Sequence, residues 1–205
     1  MGFEELRQED KQFISNTYNR FAVDLARGEG ATLYSEDGKK YVDFGSGIAV
    51  NTFGVNDEVW KSAVIEQLNK IQHASNLYYT RPQAQLAHLL CEKTGAKKVF
   101  FSNSGAEANE CAIKIARKYG EKKHAYKIVT LENSFHGRTL TTLAATGQDG
   151  FHRLFTPLTE GFVYAKGNDV EDLKAKLSDP EVCAVLLESV QGEGGVVPME
   201  EDYLK

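Results

Sequence analysis

Cysteine, proline and long apolar runs are all scarce in this chain, and each scarcity removes a class of protein. Three cysteines, Cys91, Cys111 and Cys183, are too few and too scattered for a disulfide framework or a zinc knuckle. Four prolines and the lack of any Pro-, Gly- or Ser-rich linker argue against collagen-like and low-complexity architectures. The apolar run Val182 to Leu187 is far too short to cross a bilayer. The start, Met1-Gly2-Phe3-Glu4-Glu5-Leu6, lacks the basic-then-apolar order of a secretory signal. Excess positive charge is missing as well. The 24 Lys and Arg stand against 29 Asp and Glu, for a net charge of -5, which speaks against binding nucleic acid through its phosphates. What remains is a cytoplasmic, reduced, globular chain with no membrane or nucleic-acid partner. Its 205 residues, 41% of them hydrophobic, suffice for a sizeable core.

The order of elements is legible in outline. Arg7 to Asn19 reads as helical or irregular. Thr32–Tyr34 and Lys40–Phe44 read as short strands around an Asp37-Gly38 hairpin signal. Asp57 to Gln72 carries apolar residues at roughly the helical period, at Val59, Trp60, Ala63, Val64, Leu68 and Ile71, and Pro82 to Glu92 reads as another helix with Leu86, Leu89 and Leu90 inward. From there strands and helices alternate. Val99–Phe101 reads as a strand and Gly105–Tyr119 as a helix with Ala108, Ala112, Ile115, Ala116 and Tyr119 on its apolar positions. Ile128–Leu131 is the next strand, Asn168–Leu177 a helix and Val182–Leu187 a further strand. Such alternation predicts an α/β fold with a mainly parallel sheet, whose ligands sit at the carboxyl ends of the strands. The loops after Phe101, Leu131 and Leu187 are therefore the places to look.

Each of these loops has two readings. Ser104-Gly105-Ala106-Glu107-Ala108-Asn109-Glu110 opens a helix, whose unpaired N–H groups and partial positive charge suit a phosphate. Ser104 followed three residues later by Glu107 also spells a capping box, which needs no ligand. Phe135-His136-Gly137-Arg138-Thr139 offers a ring that can stack on a planar ligand and a guanidinium fork that can grip a carboxylate. The plainer reading is a core Phe, a surface His and a surface ion pair. Glu188 and Gln191-Gly192-Glu193-Gly194-Gly195 place two acids among glycines beyond an apolar strand, as a polar site or as a solvated turn. Dinucleotide fingerprints, phosphate loops ending in Gly-Lys-Ser/Thr, zinc-protease His pairs and Gly-x-Ser-x-Gly elbows are all missing, and no metal site is indicated.

Taken together and in this order, the three loops resemble those of the class III pyridoxal-phosphate-dependent aminotransferases. Gly47-Ile48-Ala49-Val50 and His73-Ala74-Ser75-Asn76-Leu77-Tyr78 are similar to the subgroup acting on N-acetylornithine. The resemblance runs from about Thr17 to the end. It implies the fold type I α/β architecture of the family, with residues 1–50 contributing to a small domain and 51–205 forming the N-terminal part of a large cofactor-binding domain. It implies that Ser104, Gly105 and Ala106 cradle the phosphate of pyridoxal 5'-phosphate, that Phe135 stacks on its ring, and that Glu188 supports that ring. Arg138 would grip the α-carboxylate of N-acetylornithine or of the glutamate/2-oxoglutarate pair. Glu193 would help the site alternate between a terminal amine and an α-amino acid, and Tyr18 would line the substrate pocket. A homodimer is implied as well.

Several positions depart from the family pattern. Ala106 stands where many relatives carry Thr, Gly54-Val55-Asn56-Asp57 replaces Gly-His-x-His-Pro, and Ser189 replaces a Pro. The Asp that pairs with the pyridine nitrogen and the cofactor-bearing lysine are expected beyond Lys205, since no lysine of this chain follows the expected strand and glycine-rich context. The 205 residues alone are accordingly expected to be inactive. Ornithine, succinylornithine or 4-aminobutyrate as donor, or a non-catalytic module binding the cofactor or another phosphate, are the alternatives.

Overall fold

A computed structural model describes residues 2–205 and divides the chain into two units, with the boundary between Ala84 and Gln85. In the first unit, α1 (Phe3–Phe13) precedes an antiparallel sheet of β1 (Arg27–Glu29), β2 (Thr32–Tyr34) and β3 (Lys40–Val42). The turn at Asp37-Gly38 forms as expected, with Gly38 at φ 86° and the Asp37 carboxylate accepting from the Ser35 hydroxyl. A single turn, α2 (Ser46–Ala49), follows with positive φ at all four residues, including Ile48 at 59°. A β-branched residue adopts that left-handed conformation only at a cost. Next comes α3 (Glu58–Leu68), capped by the Asp57 carboxylate, which accepts from the Trp60 N–H at 2.8 Å. Its apolar positions are not covered: Val59 is 81% exposed and Trp60 59%. Among the described residues, no apolar side chain of this unit is buried, and Phe44 and Ile48 are more than nine-tenths exposed. So much open apolar surface calls for a cover.

The helix α4 (Arg81–Thr94) crosses the boundary, with Leu86 and Leu89 about half exposed rather than inward. The expected strand at Val99–Phe101 is not one. A strand is defined by its ladder, and this segment pairs with no other among the described residues, leaving Phe100 64% exposed.

The second unit is built on α5 (Gly105–Gly120), β4 (Lys127–Leu131), α6 (Leu140–Ala145), α7 (Asp149–His152), β5 (Phe162–Ala165), α8 (Val170–Leu177) and β6 (Val182–Val185). Both β5 and β6 pair parallel to β4, which lies between them. A small antiparallel ribbon of β7 (Val190–Gln191) and β8 (Val197–Pro198) leads to α9 (Glu201–Leu204). Period-two alternation along β4 gives the sheet two apolar faces. Val129 and Leu131 pack with Ala165, Met199 and Tyr203, supported by Leu173 of α8. On the opposite face Ile128 meets Ile113 of α5 and Ala145 of α6. Ile128, Val129 and Leu131 are essentially fully buried, each contributing about 1.5–3 kcal/mol. The buried stripe of α5 thus runs through Ile113, Ala116 and Gly120. Ile115 and Tyr119, expected inward, are 63% and 77% exposed, because α5 is apolar on two sides and only one meets the sheet.

Candidate active site

Three loops gather at the carboxyl ends of β4 and β6, and backbone geometry explains how. Leaving β4, the chain turns at Asn133, whose φ of 63° reverses it. The side chain of Asn133 donates to the Gly194 carbonyl at 2.7 Å, and its backbone N–H donates to the Gly147 carbonyl, also at 2.7 Å. Phe135 follows, and its N–H donates to Glu188 Oε1 at 2.8 Å. One carboxylate at the end of β6 therefore fixes the backbone of the aromatic residue beyond β4. The Phe135 ring is half-buried, edge-on to Phe151 with centroids 5.8 Å apart, and cannot swing freely.

The next two residues dock this loop onto the start of α5. The His136 carbonyl accepts from Asn109 Nδ2 at 2.8 Å. Gly137 has a φ of 131°, and a Cβ built there would come within 2.8 Å of the Ala106 Cβ and 2.6 Å of Thr142 Oγ1. Only glycine lets the loop lie this close to the first turn of α5. Arg138, exposed, comes next. Thr139 then caps α6 while its hydroxyl donates to the Glu110 carboxylate.

At the start of α5 the capping interpretation holds in part. Ser104 Oγ accepts from the Glu107 N–H at 3.1 Å, but the Glu107 carboxylate turns back one residue further, accepting from the Asn103 N–H at 2.6 Å. Helix geometry leaves the Gly105 and Ala106 N–H groups without an intrahelical acceptor. A Cβ built on Gly105 meets no atom within 4 Å, so packing within this chain does not require glycine there. The third loop is tied down by Gln191, which is buried and donates to the Glu132 carbonyl at 2.8 Å. Glu193 Oε2 accepts from Gln148 Nε2 at 2.6 Å.

Seven of the eight predicted residues, Ser104, Gly105, Ala106, Phe135, Arg138, Glu188 and Glu193, thus belong to loops joined by these bonds. Tyr18 is in the first unit, 59% exposed, with the Arg20 guanidinium 5.9 Å from its ring centre. The bridging amides of Asn109, Gln148 and Gln191 leave no periodic mark in a sequence, because each joins two loops distant along the chain. Lys166 directly follows β5 and precedes Gly167.

His136 is not the surface histidine of the plainer reading. It is 4% exposed, its Nε2 has no hydrogen-bond partner, and burial lowers its pKa to about 4. Its folded-state value thus lies below the ordinary 6.5, so the neutral ring's contribution is complete above pH 6.5. That contribution falls as the unfolded chain takes up a proton the folded chain refuses. Between pH 6.5 and 4.5 the loss comes to at most about 2 kcal/mol. Urea unfolding across this range should show that slope in the parent and a flatter one in His136→Gln. An unchanged slope would remove His136 as its source.

A family model described as aminotransferase class-III matches residues 13–205. The chain is 49% identical to acetylornithine aminotransferase of Haemophilus ducreyi, covering all of this chain and 53% of that protein. It is 51% identical to the enzyme of the same name from Wolinella succinogenes, over 96% of this chain and 50% of that one. Among solved structures, a Toxoplasma gondii ornithine aminotransferase with partial occupancy of PLP at its active site superposes with a TM-score of 0.93. It is 29% identical over 99% of this chain and 49% of its own length. The chain spans about half the length of the relatives it matches.

Proposed function

The chain belongs to the class-III aminotransferase family, and from that premise we propose that the protein moves the δ-amino group of N-acetylornithine to 2-oxoglutarate with pyridoxal 5'-phosphate. The observation that carries this reading is the docking of Gly137 against Ala106. It brings the open helix start, the Phe135 ring and the Arg138 loop to one edge of the sheet. The residues fit the cofactor the family uses. Gly105 is open where a phosphate needs room, two first-turn N–H groups point out of the helix, and a half-buried ring is held by Glu188. When bound, pyridoxal phosphate draws electrons from the reacting carbon and carries the amino group between substrates.

The chain's own residues supply position and charge. Ser104, Gly105 and Ala106 hold the phosphate through backbone donors, Ala106 contributing no hydroxyl. Phe135 lies against the ring, and Glu188 keeps Phe135 in place through its N–H. Arg138 receives the α-carboxylate, and Glu193 helps the site alternate between a terminal amine and an α-amino acid. Holding the α-carboxylate fixes the reacting carbon, which is worth far more than affinity alone. The lysine and aspartate that complete the reaction lie outside these 205 residues in this proposal, so the 205 residues alone should not turn over. The protein works in the cytoplasm as a homodimer. The uncovered Phe44, Ile48 and Trp60 of the first unit suit burial against more protein.

The test is turnover by the full-length protein with 2-oxoglutarate and four donors. N-acetylornithine should exceed ornithine, succinylornithine and 4-aminobutyrate at least tenfold in kcat/KM. A different best donor would move the assignment within the family. Cofactor binding without turnover of any donor would favour a non-catalytic module.

A further inference from the structure

We propose that Asn109 and Glu110 are positioning residues for Arg138, clamping the backbone on either side of it to α5. This inference rests on the role given to Arg138 above. The His136 carbonyl, two residues before Arg138, accepts from Asn109 Nδ2 at 2.8 Å. The Thr139 hydroxyl, one residue after Arg138, donates to Glu110 Oε1. Two consecutive residues of one helix therefore hold both ends of the short span that carries the guanidinium.

Helix geometry explains why these two residues do it. Ala106, Asn109, Glu110 and Ile113 recur at the spacing of a single helical face. The first three are half-buried, while the intervening Glu107 and Ala108 are exposed. Ile113 anchors the face in the core, 3% exposed, against Ile128 of β4. At its other end the face meets Gly137, where an added Cβ would stand 2.8 Å from the Ala106 Cβ. The phosphate and carboxylate ends of the site are thus set from one rigid element. Two-point contact between a guanidinium and a carboxylate tolerates a misplacement of only about 0.5 Å.

The protons around Thr139 have one arrangement. A carboxylate only accepts, so the Thr139 hydroxyl gives its single proton to Glu110. Thr139 Oγ1 is then left to accept from Thr142, whose hydroxyl lies 2.7 Å away and whose N–H lies 3.3 Å away. The Thr139 N–H in turn donates to Thr142 Oγ1 at 3.1 Å. The Glu110 carboxylate orders this whole chain, so the residue next to Arg138 is fixed through side chain and backbone alike. On the far side of the loop, Phe135 is held separately, its N–H donating to Glu188 Oε1 at 2.8 Å. Releasing the α5 clamp therefore loosens the guanidinium and not the ring.

The experiment uses the full-length, cofactor-loaded protein. It measures the dissociation constant of glutarate, a dicarboxylate with no amine to react, and the affinity for pyridoxal phosphate. It also follows single-turnover half-reactions with glutamate and with N-acetylputrescine, the donor without its α-carboxylate. E110A should weaken glutarate about tenfold and raise the half-saturating glutamate concentration by the same factor, with the limiting rate within threefold. N109A should weaken glutarate about fivefold. In both variants the N-acetylputrescine reaction and the cofactor affinity should stay within twofold. E110Q, whose amide oxygen still accepts from Thr139, should return to within threefold of the parent. In an R138L background, adding E110A should change glutarate binding less than twofold. Equal losses for glutamate and N-acetylputrescine, E110Q as damaging as E110A, or an E110A effect that persists in R138L would each overturn the proposal. R138L alone decides the role of Arg138: if it leaves glutarate binding unchanged, that role falls and this inference with it.

Discussion

Arg138→Leu in the full-length protein should lower kcat/KM for glutamate by about a thousandfold, with the fold intact. The size follows from what a guanidinium gives a carboxylate. Two parallel charge-assisted hydrogen bonds, each worth about 1.5–3 kcal/mol, are lost together, and about 1.4 kcal/mol corresponds to a factor of ten. The effect on the fold is small because the neighbouring backbone is clamped by other groups. Gly137 is wedged between Ala106 and Thr142 on one side, and Thr139 is fixed by Thr142 and the Glu110 carboxylate on the other. Arg138→Lys keeps the charge but loses the planar fork, and should recover about a tenth of the lost activity. A simple ω-amine without an α-carboxylate supplies the control, since its turnover should change less than threefold in either variant. A loss below fivefold for glutamate in Arg138→Leu would take the α-carboxylate away from this residue.

The sequence carried the site further than it carried the fold around it. Three loops with glycines beside charged and aromatic residues are visible one residue at a time, and their order along the chain fixes which strand end each follows. Ile128–Leu131 stood out because a central parallel strand is apolar on both faces. The misreadings have one physical cause, namely that burial depends on what lies opposite. Val99–Phe101 has strand-like residues but no ladder partner among those described, and Ile115 and Tyr119 lie at a helical spacing on the face of α5 that nothing covers. Histidine is usually exposed, whereas Gly137, next to His136, presses the loop onto α5 and takes the ring inward. The short helix Leu140–Ala145 escaped because Leu-Thr-Thr-Leu-Ala-Ala shows no polar face, all but its first two residues being buried. Its last turn is held by His152 Nε2, which lies within 2.7 Å of the Thr146 carbonyl, and by the Tyr164 hydroxyl donating to the Ala144 carbonyl. Pairings across 6 and 20 residues of that kind cannot be read from spacing.

Gly147→Ala and Gly105→Ala, two substitutions at the same sheet edge, should have opposite consequences. At Gly147 a Cβ would stand 2.0 Å from the Leu131 carbonyl oxygen and 2.9 Å from the Glu132 Cα, both backbone atoms at the end of the central strand. Neither can turn aside as a side chain would, so the 147–148 segment must lift away. Lifting it breaks the bridge between Glu132 and Gly147, the bonds with Ser134 and Asn133, and the alignment of Gln148 with Glu193. Overpacking and several lost hydrogen bonds together should cost about 3–5 kcal/mol, read as a shift in the urea midpoint. At Gly105 the added methyl group meets nothing, and its φ lies outside the left-handed range, so alanine in the first turn of α5 should leave stability unchanged or raise it by up to about 1 kcal/mol. The price appears only with ligand, because the methyl enters the space assigned to the phosphate, and the full-length variant should bind pyridoxal phosphate at least tenfold more weakly. Equal unfolding midpoints for the two variants would discard the steric account of Gly147. Undiminished cofactor affinity in Gly105→Ala would move the phosphate away from the start of α5.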